Sequence, residues 1–327
     1  MPSPGSIKRD FMHHCRKIAS PSSHVWIDKA ALKRFAQHLK QFDFQSPDWN
    51  ECLSKAALST SPPDFLRICQ EFAIFAAQNG GYIEEDAQGK SKKWHLDGSG
   101  DKALVTMFES MRSQHPMIFK DRYAIKDRKA LFAQSLSGAP YPQKRVEIFE
   151  EHINRDVDKK LQQLLAEMQK SDNRFQIDMH IICRLAEIFP KSFGEDPYLK
   201  KANLWGLMVA GHLRNRGVHV DLDIIPPADY RLPETLHAAG VLKFSDMFAD
   251  VINANRVFEQ ENKIISQLRA ATIVAVDMIC HEADMTVDRV DQALWQASKN
   301  GTLERLMREN PDHVKARRHF NCKTLWF

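Results

Sequence analysis

The chain lacks most of the features that announce a function class outright. Its six cysteines stand far apart, at 15, 52, 69, 183, 280 and 322, and no two sit at C-x-x-C spacing. That argues against a zinc knuckle or a redox pair and reads as a reduced, cytoplasmic protein. No apolar run approaches 18 residues, so no membrane span is expected. The opening MPSPGSIKRDFMHHC has no apolar stretch of the signal-peptide kind. There is no fixed-period repeat, no low-complexity tract and no Gly/Ser linker, so the 327 residues read as one domain. Charge of one sign is lacking too. Lys and Arg number 46 against 42 Asp and Glu, a net of +4, which gives little support to a nucleic-acid binder but suits an anionic ligand.

Several motifs fall short. "AQGKS" at 87–91 resembles a phosphate loop, but the glycine that the motif needs five residues before Gly89 is Glu84. "DGSGDK" at 97–102 reads as a turn. "CHEAD" at 280–284 lacks the second histidine of a zinc-protease helix. His13, His14 and Cys15 are adjacent, and neighbouring side chains on a helix point apart. No metal site and no cofactor is expected. Lys315, Arg317, Arg318 and His319 form a basic patch that reads first as a solvated face.

What is present is helical periodicity. Helices are expected around 7–19, from Asp28 through 39, near 50–58, and at 101–112, 127–136, 143–152, 155–169, 175–188, 197–215, 233–239, 245–254, 259–282, 286–299 and 301–309. In the stretch 260–282, Ile264, Ile265, Leu268, Ala271, Thr272, Ala275 and Val276 recur at three-to-four spacing and mark one buried face. Strand character concentrates at 64–100, where "FAIFAAQNGGYIEED" and "KSKKWHLDG" flank turn residues, so a small antiparallel ribbon is expected there. The fold class is therefore mainly α, with a small β insertion.

One segment carries more polarity than a helix entry needs. In "PADYRLPETLHAAGVLKFS" (227–245), Asp229, Tyr230 and Arg231 stand side by side. Pro226 and Pro227 stiffen the approach, and Pro233 suits the first helical position. Gly240 is expected to end a short helix, and Ser245 to cap the next, with Met247 and Phe248 turned inward. Read alone, Asp229 is a braced acid: either a cap or ion-pair partner of Arg231, or a carboxylate facing a ligand.

This segment resembles the signature of the queuosine salvage family, Phe-Ala-Asp-Tyr-Arg-(hydrophobic)-Pro, with Pro227 in place of the phenylalanine. Other segments are similar to that family in the same order: "PYPQKRVEIFEE" (140–151), "IFPKSFGEDPYLKKANL" (188–204), "RAATIVAVDMI" (269–279), Leu294-Trp295 and the closing "CKTLWF", with "HVWIDKAALKRFAQHL" (24–39) a looser match. The resemblance implies a helical fold related to helix-hairpin-helix DNA glycosylases. It also implies an N-glycosidase that releases queuine from queuosine 5′-phosphate, with Asp229 as the catalytic carboxylate. Lys200 follows as a contact to the substrate. Tyr230 and Arg231 are candidates to bind the substrate or support Asp229, and Arg269 is a candidate for the 5′-phosphate or, alone in an apolar stretch, a buried partner for an acid. The family's N-terminal Phe-x-Phe-Trp cluster has its counterpart in "EFAIFAAQ" (71–78), which makes Phe72 and Phe75 candidates for the base platform but offers no tryptophan. Trp295 reads as core. The implied partner is a small-molecule nucleotide, with no stable nucleic-acid or membrane partner, in a monomer. A non-catalytic deazapurine-binding protein and a nucleic-acid glycosylase stand as alternatives.

Overall fold

The computed structural model describes residues 4–20, 24–41, 47, 49–53, 65–85, 88, 91–94, 100–115, 127–136, 138–171, 173–254, 257–259, 262–297 and 321–323. The helix expected at 301–309, the later part of the one expected at 50–58 and the basic patch at 315–319 lie outside those residues. Among the described residues the fold is mainly helical, with short strand pairs between helices.

Helix α1 (Pro4–Ile18) precedes strand β1 (Val25–Ile27) and helix α2 (Lys29–Leu39). Asp28 caps α2 by accepting hydrogen bonds from the Ala30 and Ala31 N–H groups. Helix α3 (Phe65–Gln78) then leads through a turn at 79–82 into an antiparallel ribbon, β2 (Ile83–Glu85) with β3 (Ser91–Lys93). The ribbon falls where strand character was expected, but "FAIFAAQ" does not join it: those residues are helix. Every residue from Glu71 to Gln78 is buried. A short apolar run buried all round has no periodicity by which sequence alone could tell helix from strand.

Helices α4 (Asp101–Gln114), α5 (Arg128–Ser135), α6 (Pro142–His152) and α7 (Arg155–Met168) follow near their expected places. Strand structure outside 64–100 is the main departure. Strands β4 (Gln169–Ser171) and β5 (Arg174–Asp178) precede helix α8 (Met179–Ile188), so the helix expected from 175 begins four residues later, capped by the Asp178 carboxylate. Helix α9 (Lys200–Arg214) leads to strand β6 (His219–Asp223), which pairs parallel with β5 from Arg174↔His219 to Asp178↔Asp223. Next come helix α10 (Arg231–Ala238), strand β7 (Leu242–Phe244), helix α11 (Asp246–Asn253), strand β8 (Val257–Glu259), helix α12 (Lys263–Ala283), helix α13 (Val287–Ala297) and strand β9 (Asn321–Lys323). Gly240, at φ +74°, ends α10, and β7 then pairs antiparallel with β1. Ser245 caps α11 as expected, through the Phe248 N–H. Phe248 is fully buried, but Met247 turns out to solvent at 53% exposure.

Two helices form the centre. All of Lys200–Leu213 in α9 is buried, against α3, α8 and β6. A Cβ on Gly206 would lie 3.1 Å from Ile182 Cδ1, so this helix packs closer than alanine allows without adjustment. Helix α12 packs on α1, α2 and α13. Its 21 residues are long and apolar enough to cross a membrane by length and composition, yet most of that surface is buried within the fold. One core cluster runs from Met12 to Cys322.

Candidate active site

The cleft lies where the N-terminal ends of α9 and α10 meet the C-terminal end of α3 and one face of α13. Asp229 is set on its wall by α10. Its Oδ1 accepts the backbone N–H of Arg231 at 2.8 Å and of Leu232 at 3.2 Å, so the acid caps the helix. The approach is rigid: Pro226, Pro227 and Ala228 are buried, and the Ala228 N–H donates to the Pro226 carbonyl at 2.9 Å. The helix starts at Arg231, two residues before Pro233, whose missing N–H still falls in the unsatisfied first turn. Capping occupies one carboxylate oxygen and leaves Oδ2 outside the cap. Arg231 lies over the Tyr230 ring, 5.4 Å from its centroid.

Lys200 is placed by an unusual helix start. Leu199 sits at φ +51°, a left-handed conformation that a branched side chain rarely adopts. It is held there by Asp196, whose carboxylate accepts the N–H groups of Tyr198 at 3.0 Å and Lys200 at 2.8 Å. Asp196 is in turn gripped by Arg269 from α12, with two bonds of 2.7 and 2.8 Å between buried groups. The Lys200 ammonium, 3% exposed, donates to Asn79 Oδ1 at 2.9 Å. Burial lowers its pKa, and the Asp229 charge acts against that shift.

Asn79 belongs to the 79–82 turn, where Gly80 and Gly81 take φ values of +126° and +62°. Buried basic side chains hold this turn. Arg145 of α6 donates to the carbonyls of Gln78 (2.6 Å), Gly80 (2.7 Å), Gly81 (3.2 Å) and Pro140 (2.8 Å). Lys201 donates to the Ala77 carbonyl at 2.5 Å. The Ala77 and Gln78 carbonyls lie in the last turn of α3, which lacks helix partners for them, and burial pushes the Lys201 pKa well below the ordinary lysine value. The cleft is flanked by aromatic side chains: Phe75, Trp49, Tyr82 and Trp295. Trp49 is also left-handed, at φ +57°. Its loop lies against Gly211 of α9, where a Cβ would sit 2.4 Å from the Pro47 carbonyl oxygen. The cavity measures about 70 Å³, well below the few hundred Å³ usual for a small-molecule site, so a nucleotide enters only if side chains of the cleft move.

On the same cleft, α13 presents Asp291, Gln292 and Trp295. Asp291 is half-buried, but its Oδ1 is shielded from solvent and has no hydrogen-bond partner among the described residues. Trp49 Nε1 is likewise enclosed and without a partner among them. Unsatisfied buried polar atoms are rare in folded proteins, and a ligand in the cleft is a physical reason for both. Burial, then the charges of Asp229 and Asp288, push the Asp291 carboxyl well above the ordinary carboxylate range, with Lys200 pulling the other way. Asp288, one turn earlier, is itself paired with Arg214.

Of the residues expected to meet a substrate, the fold gathers Asp229, Tyr230, Arg231, Lys200 and Phe75 on this cleft. Phe72 and Arg269 are not on it. Phe72 is fully buried, edge-on to His212 at 5.7 Å, because it lies on the α3 face turned to α9. Arg269 faces Asp196 inside the fold. Trp295, expected in the core, is a cleft residue. Sequence reasoning missed Trp49 and Asp291. Trp49 stands alone in a Pro/Ser/Asp segment without periodicity, so nothing marked it. Asp288 and Asp291 did offer a signal: two acids at i, i+3 in an apolar helix with no base one turn on.

Among curated proteins, none matches the chain. Residues 200–327, which include Lys200, Asp229, Asp291 and Trp295, match the family model described as queuosine salvage protein. The match covers the C-terminal part of the chain and supports its resemblance to the queuosine salvage family there.

Proposed function

We propose that this protein is an N-glycosidase that hydrolyses queuosine 5′-phosphate, or a closely related 7-deazaguanine nucleotide, and releases the base. The relation to helix-hairpin-helix DNA glycosylases is part of the same reading. The observation that carries it is Asp229: a carboxylate fixed at a cleft wall by two backbone N–H groups and facing aromatic side chains that suit a flat base. Stacking on such side chains contributes roughly 1–3 kcal/mol per base.

Breaking the bond from C1′ to the base builds positive charge on the ribose, as in other glycoside cleavages. A fixed carboxylate beside that carbon stabilises the charge without reorganising. Water adds to C1′ as the bond to the base breaks and its electron pair leaves with the base. Asp229 takes the proton that the water gives up. Phe75, Trp49, Tyr82 and Trp295 provide the aromatic walls for the base. Lys200, beside Asn79 and Asp229, is suited to ribose hydroxyls. Arg231, half-buried at the cleft edge, is suited to the 5′-phosphate. The test is base release from queuosine 5′-phosphate by the wild type and by Asp229→Asn. Asparagine is as good a helix cap as aspartate, so this substitution separates the chemistry from the fold.

A further inference from the structure

A 7-deazaguanine base carries carbon where guanine has N7, so the departing base cannot be protonated there. Its developing negative charge needs a proton at another edge, and that proton needs a donor in the cleft. Lys200 is one candidate, but its ammonium already donates to Asn79 and faces Asp229. The other is on α13.

We propose that Asp291 is a second catalytic residue, which stands in the cleft as an acid and gives its proton to the departing base. This rests on the glycoside-hydrolase reading above. The two carboxyl groups have opposite surroundings. Asp229 accepts two backbone N–H groups. Asp291 Oδ1 accepts none and is shielded from solvent. Its neighbours are Asp229 from the segment before α10, Asp288 on its own helix, and Lys200 from α9; Glu51 and Arg231 stand elsewhere on the cleft wall. Two negative neighbours against one positive oppose ionisation of Asp291. Pairs of acids with environments pushed apart in this way divide into a base and an acid. The proton balance closes: the C1′–base bond breaks with its electrons on the base, the base takes the Asp291 proton, and water loses one to Asp229. Return of that proton to Asp291 through solvent resets the site. The unpartnered Trp49 indole N–H is a further donor available to the bound base.

The test is Asp291→Asn, which keeps shape and neutrality but cannot transfer a proton. With queuosine 5′-phosphate, kcat is expected to fall roughly 10²–10⁴-fold, the range for general acid–base groups, while KM stays within about threefold. The wild-type rate is expected to decline at high pH as Asp291 ionises, and that limb is expected to vanish in the variant. A second measurement does not depend on turnover. A carboxyl held neutral in the fold destabilises it as pH rises above the ordinary value of 3.8 and until the folded group ionises. The melting temperature of Asp291→Asn is therefore expected to gain on that of the wild type from about pH 4 upward. A variant with wild-type kcat and an unchanged alkaline limb overturns the proposal, and so does a melting difference independent of pH. A wild type that releases no base overturns the hydrolase reading and the catalytic role with it, while the melts still decide whether Asp291 carries a proton.

Discussion

Arg269→Met tests whether the cleft is built from behind. Arg269 and Asp196 are 4% and 2% exposed at the side chain and are joined by two short bonds. Removing one partner of such a pair leaves a buried charge without its counter-ion, which costs about 3–5 kcal/mol. Asp196 would keep the Tyr198 and Lys200 N–H groups as donors, so the lower end, about 3 kcal/mol, is expected. Asp196→Leu removes the other charge but also frees those two N–H groups, so it is expected to be at least as harmful alone. Combined, the two substitutions leave no stranded charge, and the double variant is expected to recover about 2–3 kcal/mol relative to the sum of the singles. Urea unfolding followed by circular dichroism gives all four stabilities. Because Asp196 also sets the left-handed Leu199 and the first turn of α9, substrate affinity is expected to weaken through Lys200 in either single variant. An Arg269→Met protein with wild-type stability and a raised KM would refute this reasoning, since it would make Arg269 a direct ligand.

Two other substitutions probe the opposite side of the cleft. Arg145→Met strips four carbonyls of their donor; burial lowers the guanidinium pKa to about 10, so it is still charged at neutral pH. A loss of about 3 kcal/mol or more in urea unfolding is expected, with weaker substrate binding because Asn79 and Tyr82 sit on the released turn. Gly211→Ala forces a methyl to within 2.4 Å of the Pro47 carbonyl, a backbone atom that can move only with the Trp49 loop. It is expected to destabilise by about 1–3 kcal/mol and to raise KM more than it lowers kcat, measured by unfolding and steady-state kinetics.

The helices were legible where one face is apolar and a cap residue stands at the start, as at Asp28 and Ser245. Gly240 was legible as a stop because a positive φ there needs no side chain to be accommodated. The short strands were not. Arg174–Asp178 and His219–Asp223 lie 41 or more residues apart in sequence and become strands only by pairing with each other across α8 and α9. The cleft was half legible. Asp229, Lys200 and Arg231 lie in segments whose composition is odd for a loop or a helix entry. Arg269 was equally odd, a lone cation in an apolar helix, but whether it meets a ligand or an internal acid depends on Asp196, 73 residues away. Phe72 and Phe75 are three apart on one helix, and only the placement of α9 decides which of them reaches the cleft. Trp49 belongs to the site solely through packing, and the acid pair Asp288 and Asp291 shows in the sequence without showing which of the two reaches the cleft.

The central claim concerns one carboxylate and one bond. The measurement that tests it most directly is chromatographic detection of free queuine after incubating queuosine 5′-phosphate with purified wild type and Asp229→Asn at equal concentration. Release by the wild type and a loss of roughly 10²–10⁴-fold in the variant, with unchanged unfolding, is the expected result. Equal release by both proteins, or none by the wild type, would contradict it.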